Sequence, residues 1–282
     1  MSRRRWIVAG SLTIVALLVA SAGGANLLFE RRMDREVDAL FAESVPAAPS
    51  LVTESDLAGL PTPVQRWLRA SGVVGRERPY AVRLKQEGDF RLSEDRDWMP
   101  YTAEQYFTTN PPGFIWNASF EMAPLVSISG RDRYHAGVGD IEMRVLGVIP
   151  VAKKSGGGLN QGALHRYLGE IVWFPAAALD PAIRWEAIDD NAALATMSYG
   201  GETVSATFIF DDQGRLVKLT ADRYNDDRGS IEPWSIAITE YGSFDGIEIP
   251  VAGEGVWHYD TGDFSYIQWR ITALEQNVPE AY

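Results

Sequence analysis

Cysteine is absent from the 282 residues. Disulfides, thiolate metal sites and cysteine nucleophiles are therefore excluded together, and so is a lipidated N-terminal cysteine. Histidine is nearly as scarce. His135, His165 and His258 are far apart, with no HExxH pattern and no second histidine at metal spacing, so zinc has no ligand set. Positive charge is also in short supply, with 26 Lys and Arg against 38 Asp and Glu and a net charge of −12. Arg3, Arg4, Arg5, Arg31, Arg32 and Arg35 all lie near the start, which leaves the rest still more acidic. Such a surface repels phosphate backbones, and nucleic acid is not expected as a partner.

Signatures of chemistry are missing too. The glycine-rich stretch Lys153-Lys154-Ser155-Gly156-Gly157-Gly158 has no following Gly-Lys-Ser/Thr, and reads as a flexible loop rather than a phosphate cradle. Ser129 and Ser243 do not sit in a GxSxG elbow. Asp211-Asp212 and Asp226-Asp227 fall at turn positions, where aspartate serves the backbone, without the evenly spaced further ligands of a calcium loop. No cofactor is expected.

Present instead is an uncharged apolar run from Trp6 to Phe29, directly after three arginines. As a helix it spans about 36 Å, enough for a hydrocarbon core of about 30 Å. The arginines keep residues 1–5 cytoplasmic and deliver the remainder outside. Ala20-Ser21-Ala22 also fits a signal-peptidase site, but Met33, Val37, Leu40 and Phe41 prolong the helical stripe, which favours a retained anchor over 6–29. Residues 30–75 read as a helical stalk, a Pro/Ala-rich linker from Ser44 to Leu51, and a short helix. That helix has Thr62 as cap, Pro63 at the first helical position and an apolar face of Val64, Trp67 and Leu68.

From residue 76 to 277 the period changes to two. Tyr80, Val82, Leu84, Gln86, Gly88, Phe90 and Leu92 alternate with Ala81, Arg83, Lys85, Glu87, Asp89 and Arg91, the pattern of a half-buried antiparallel strand. Similar runs follow at 101–108, 113–120, 125–129 and 140–146, and again at 203–210, 215–224, 234–241, 247–250, 255–259 and 264–274. Between the two sets, Leu164, Tyr167, Leu168 and Ile171 recur at helical spacing after Asn160, and Pro175 ends or restarts the helix. The expected fold is mainly β (α+β): a strongly curved antiparallel sheet or open half-barrel of about a dozen strands, with a central helical lid over 159–179.

Aromatic residues cluster in the first half and the central helix. Trp98, Tyr106, Phe107, Phe114, Trp116, Tyr167, Trp173 and Phe174 are the candidate lining of an apolar hollow, set against their alternative as plain core. Arg166 and Glu170 are four apart on the polar side of the helix. A surface pair there contributes only about 0.3–0.5 kcal/mol. If the helix is a lid, either side chain can hold it against Arg131 or Asp132 in a Gly130-Arg131-Asp132 turn.

The motifs Trp98-Met-Pro-Tyr, Pro112-Gly-Phe-Ile-Trp116, Gly130-Arg-Asp-Arg-Tyr134 and Arg166-Tyr-Leu-Gly-Glu-Ile-Val-Trp-Phe-Pro175 resemble those of a family of uncharacterised bacterial proteins with an N-terminal membrane segment. The resemblance runs from about Leu60 to Asn277 and implies no activity. In architecture alone, the order strands, helix, strands is similar to periplasmic lipoprotein carriers of the LolA and LppX type, open half-barrels that hold acyl chains beneath a helical lid. A retained anchor departs from that group, since a shuttling carrier must diffuse. The functional expectation is a non-enzymatic, membrane-tethered protein outside the cytoplasm that binds a lipid or other hydrophobic molecule. Two rivals are a ligand-free scaffold domain of an envelope complex, and an enzyme using Glu104, Asp132 and Glu170. Any protein partner is undefined by the sequence.

Overall fold

The computed structural model describes residues 28–44, 50–123, 126–147 and 149–282. The expected membrane anchor at 6–29 lies outside them except for its last two positions. No helix among the described residues is long and apolar enough to cross a membrane.

Thirteen antiparallel strands form one sheet in the order β6-β5-β4-β3-β2-β1-β13-β12-β11-β10-β9-β8-β7. The first wing runs outward through β1 (Ala81–Phe90), β2 (Met99–Thr109), β3 (Pro112–Ala123), β4 (Val126–His135), β5 (Val138–Val145) and β6 (Ile149–Ser155). The second returns inward through β7 (Ile183–Ala187), β8 (Ala192–Tyr199), β9 (Glu202–Phe210), β10 (Leu216–Asn225), β11 (Ser230–Phe244), β12 (Ile247–Tyr259) and β13 (Gly262–Gln276). Between the wings, α3 (Gly158–Glu170) and two 3-10 turns (Ile171–Trp173 and Pro175–Leu179) carry the chain from one edge of the sheet to the other. α3 touches β5 of one wing and β9 and β10 of the other, so the sheet curls around it as a half-barrel. The wings also meet directly, because the β4–β5 turn at Gly137 and the β8–β9 turn at Gly200 touch backbone to backbone.

The expected half-barrel is therefore present, with differences that have physical causes. Residues 130–132 are not a turn. β4 continues to His135, and Gly130 sits in mid-strand because the Phe120 ring covers it, leaving a Cβ only 3.1 Å from that ring. Residues 153–155, read as loop, belong to edge strand β6, whose exposure erases any hydrophobic alternation. β7 and β8 were not foreseen, and 247–250 with 255–259 are one strand.

A helix over residues 28–43, here α1, packs on the convex face of the first wing. Val37, Leu40 and Phe41 bury against Ala81, Tyr106 and Ile115, and Arg32 reaches Glu142 at 3.0 Å. The apolar stripe read as stalk is thus buried on the domain. α2 (Thr62–Ala70) inserts Trp67 beside Trp185, Phe208 and Phe210 of the second wing.

α3, expected as a lid, packs its apolar side into the half-barrel. Leu164, Tyr167, Leu168 and Ile171 are completely buried, which makes it a structural part of the core. Strands β9 and β10 pair only through Leu216 to Thr220, and α3 fills the split beyond. There Gln161 accepts from the Tyr224 backbone N–H at 2.9 Å, Gly162 carbonyl accepts from Arg223 Nε at 3.2 Å, and His165 Nε2 lies 3.0 Å from the Ser205 carbonyl. Backbone groups left unpaired by the split are in part satisfied by the helix.

Candidate functional site

Opposite its packed side, α3 shows a face of Gly162, Ala163, Arg166, Gly169 and Glu170 to a cavity of about 340 Å³. Strand periodicity supplies the other walls. β1 contributes Phe90, β3 Trp116 and Phe120, β11 Trp234 and Ile236, and β12 Trp257. On β13 the register slips, since Gly255 pairs with Ile267 and Val256 with Ser265. This bulge turns the consecutive Tyr266 and Ile267 both into the hollow, alongside Trp269. The rings pack against one another, with Trp173 and Trp269 at 5.3 Å and Phe90 and Phe120 at 5.2 Å. Leu92 both borders the cavity and is 51% exposed, which marks an opening at the β1–β2 end of the sheet.

One polar chain crosses this lining. Arg166 donates to Asp132 at 2.6 Å and to Glu170 at 2.8 Å. Gln105 donates to Glu170 at 2.7 Å, Gln86 donates to Gln105 at 3.0 Å, and Trp116 Nε1 donates to Gln86 at 3.1 Å. The guanidinium also lies over the rings of Phe114 and Trp116. Burial pushes the Glu170 carboxyl above its ordinary range against the pull of Arg166. Burial opposes the charge of Arg166 too, but Glu170 and Asp132 outweigh it and hold the guanidinium firmly protonated.

The sequence-derived candidates divide. Trp116 and Trp173 line the cavity. Phe107, Phe114, Tyr167 and Phe174 lie on the other flank of α3 as packed core, with Phe107 and Phe174 at 4.8 Å and the Tyr167 hydroxyl donating to the Thr108 carbonyl. Tyr106 faces the convex side under α1, 6.0 Å from Phe41. Trp98 sits in the β1–β2 connection beneath Arg91 and outside the cavity. Of the polar four, Asp132, Arg166 and Glu170 assemble. Arg131 borders the cavity, but its guanidinium is taken up by Asp140, Glu142 and Glu36 beneath α1. Glu104 is on the convex face with Tyr106 and Lys85, remote from Asp132 and Glu170.

Sequence reasoning missed Trp234, Trp257, Tyr266, Trp269 and Arg223. For Trp234 the signal was the alternation Trp234, Ile236, Ile238 on a foreseen strand. It also missed a chain on the outer face, where Asp263 bonds His258 Nδ1 at 2.6 Å and Ser235 Oγ lies 2.8 Å from His258 Nε2. This is the order of groups in a serine hydrolase. Ser235 is only 2% exposed, however, so in this conformation no substrate carbonyl reaches its oxygen. Among the described residues no cluster of three metal-ligating side chains occurs.

Solved structures similar to the chain at low identity include the following two. One is a DUF1329 family protein from Desulfovibrio piger, at 11% identity over 78% of this chain and 93% of that one, with a TM-score of 0.44. The other is a LolA superfamily protein from Nitrosomonas europaea, at 10% identity over 76% and 93%, with a TM-score of 0.38. No curated protein matches the chain. The sequence pattern of DUF6544, a family of unknown function, matches residues 50–269, and the chain belongs to that family.

Proposed function

We propose that this chain is a non-enzymatic envelope protein, tethered to a membrane by residues 6–29 with its β domain outside the cytoplasm, that binds one hydrophobic molecule between α3 and the sheet. The observation that carries the reading is the hollow itself, lined by Phe90, Trp116, Phe120, Trp173, Trp257 and Trp269 and left unfilled by the described side chains. Its size of about 340 Å³ is at the lower end of the range of about 300–1,000 Å³ usual for ligand sites, and fits one chain rather than several. α3 acts as a fixed wall, and access is past Leu92. The membrane placement is supported by the three arginines before an uncharged apolar run.

The test is native mass spectrometry and lipid extraction of residues 28–282, a span that keeps α1 in place, purified from detergent-free cell extract. Stoichiometric apolar adducts, or uptake of an added lipid with a blue shift of tryptophan emission, are expected. A protein that neither carries nor takes up any lipid would sink the proposal.

A further inference from the structure

Among the described residues four cationic side chains border the cavity: Arg131, Lys154, Arg166 and Arg223. Three are neutralised. Arg131 meets Asp140, Lys154 meets Asp226 at 2.7 Å, and Arg166 meets Asp132 and Glu170. Among the described residues Arg223 has no carboxylate partner. Its Nε donates to the Gly162 carbonyl of α3 at 3.2 Å, which fixes the plane of the guanidinium, and neither terminal nitrogen has an acceptor among the described residues. The group lies 4.9 Å from the centre of the Trp234 ring and 5.7 Å from that of Trp257. Indole faces hold a cation in place without cancelling its charge.

We infer that the molecule bound in the hollow is an amphiphile with an anionic head, and that Arg223 is the residue that receives the head. The inference rests on the reading of the hollow as a ligand site. A planar guanidinium with two free donors matches the two oxygens of a carboxylate or phosphate. Beyond it, Ile236, Ile267 and Trp269 offer only hydrocarbon and ring faces for the tail. Strand position explains the arrangement. Leu219, Ala221, Arg223 and Asn225 share one face of β10, and beyond Thr220 that strand parts from β9, which brings Arg223 against α3. Within a mostly apolar wall, a charge left unpaired by the protein is costly unless water or a ligand completes it.

The probes are dodecanoate, dodecyl phosphate, dodecanol and dodecylamine, added to the full-length chain in amphipol. Adducts are read by native mass spectrometry and affinity by tryptophan fluorescence. Either anion is expected to bind at least about tenfold tighter than dodecanol. Comparing the two anions separates a fatty acid from a phosphate ester. Arg223→Gln should reduce the anions to the affinity of dodecanol while leaving dodecanol unchanged. Arg223→Lys, which keeps the charge, should retain most of the preference, and circular dichroism of both variants checks that α3 stays seated. Equal binding of anion and alcohol, a preference that survives Arg223→Gln, or tightest binding of dodecylamine would overturn the inference while leaving the hollow as a ligand site. Failure of all four probes to bind would overturn both.

Discussion

Arg166 of α3 and Asp132 of β4 meet at 2.6 Å inside a hollow otherwise walled mainly by rings and aliphatic chains. With Glu170 and Gln105 they fasten the crossing helix to the first wing, so the polar chain sets the position of one wall of the cavity. Removing a single member of such a group leaves the others charged and unpaired, which costs more than the group contributes as a whole. Arg166→Met should therefore destabilise the protein by about 3 kcal/mol in urea unfolding. The triple variant Arg166→Met, Asp132→Asn, Glu170→Gln should recover much of that loss. A single variant as stable as the parent would show that the helix is held by apolar packing alone.

His165 gives stability an acid limb. Burial lowers its folded-state pKa from 6.5 to about 4, the Ser205 carbonyl partly offsets this, and nearby Arg223 adds to it. The unfolded chain therefore takes the proton first. Stability from this group is complete above pH 6.5 and is lost as pH falls towards 4, to a total of about 3 kcal/mol. Melting temperature followed over that interval should fall steeply in the parent and less so in His165→Gln. Parallel curves would assign the acid limb to other groups.

Closure of the two wings depends on two glycines. A Cβ on Gly137 would come within 2.6 Å of the Gly200 Cα, and both residues have positive φ, 81° and 62°. Gly137→Ala and Gly200→Ala should each cost about 1–3 kcal/mol. In hydrogen exchange the loss should appear as faster opening of β5 and β8 than of β1 and β13. Uniform loss of protection would mean that the wings do not separate independently.

The Asp263, His258, Ser235 chain bears on the enzyme rival. With Ser235 buried beside its neighbours, a fluorophosphonate probe should leave it unlabelled, and Ser235→Ala should leave lipid uptake unchanged. Labelling at Ser235 by peptide mass spectrometry would reopen hydrolysis as a function.

Alternation along β1, β2 and β3 was plain in the sequence, because away from the patch covered by α1 each strand has one buried and one more solvated face. Edge strands β6 and β7 were not, since an edge with little to bury has little to alternate. β8 was hidden differently, for Ala192, Ala193 and Ala195 are too small to give contrast. The site was harder still. Tyr106 and Phe107 are adjacent, as are Arg131 and Asp132, and neighbours in a strand face opposite ways. Each pair could place only one member towards α3, and the choice depended on register that composition does not record. The bulge that turns both Tyr266 and Ile267 inwards breaks this rule, and only the pairing partners reveal it.

The centre of the sheet is the ladder between β1 and β13, in which Val82 lies opposite Gln276. These are the first and the last strands of the sheet to be synthesised. Until the final segment arrives, β1 keeps a bare edge, the two meanders have no shared seam, and α3 has no finished enclosure to occupy. Assembly must therefore wait for β13, at a high cost in long-range loop closure. Truncations that remove β13 should yield two sticky half-sheets rather than a smaller working domain, and the unfinished polypeptide is a natural client for holding chaperones.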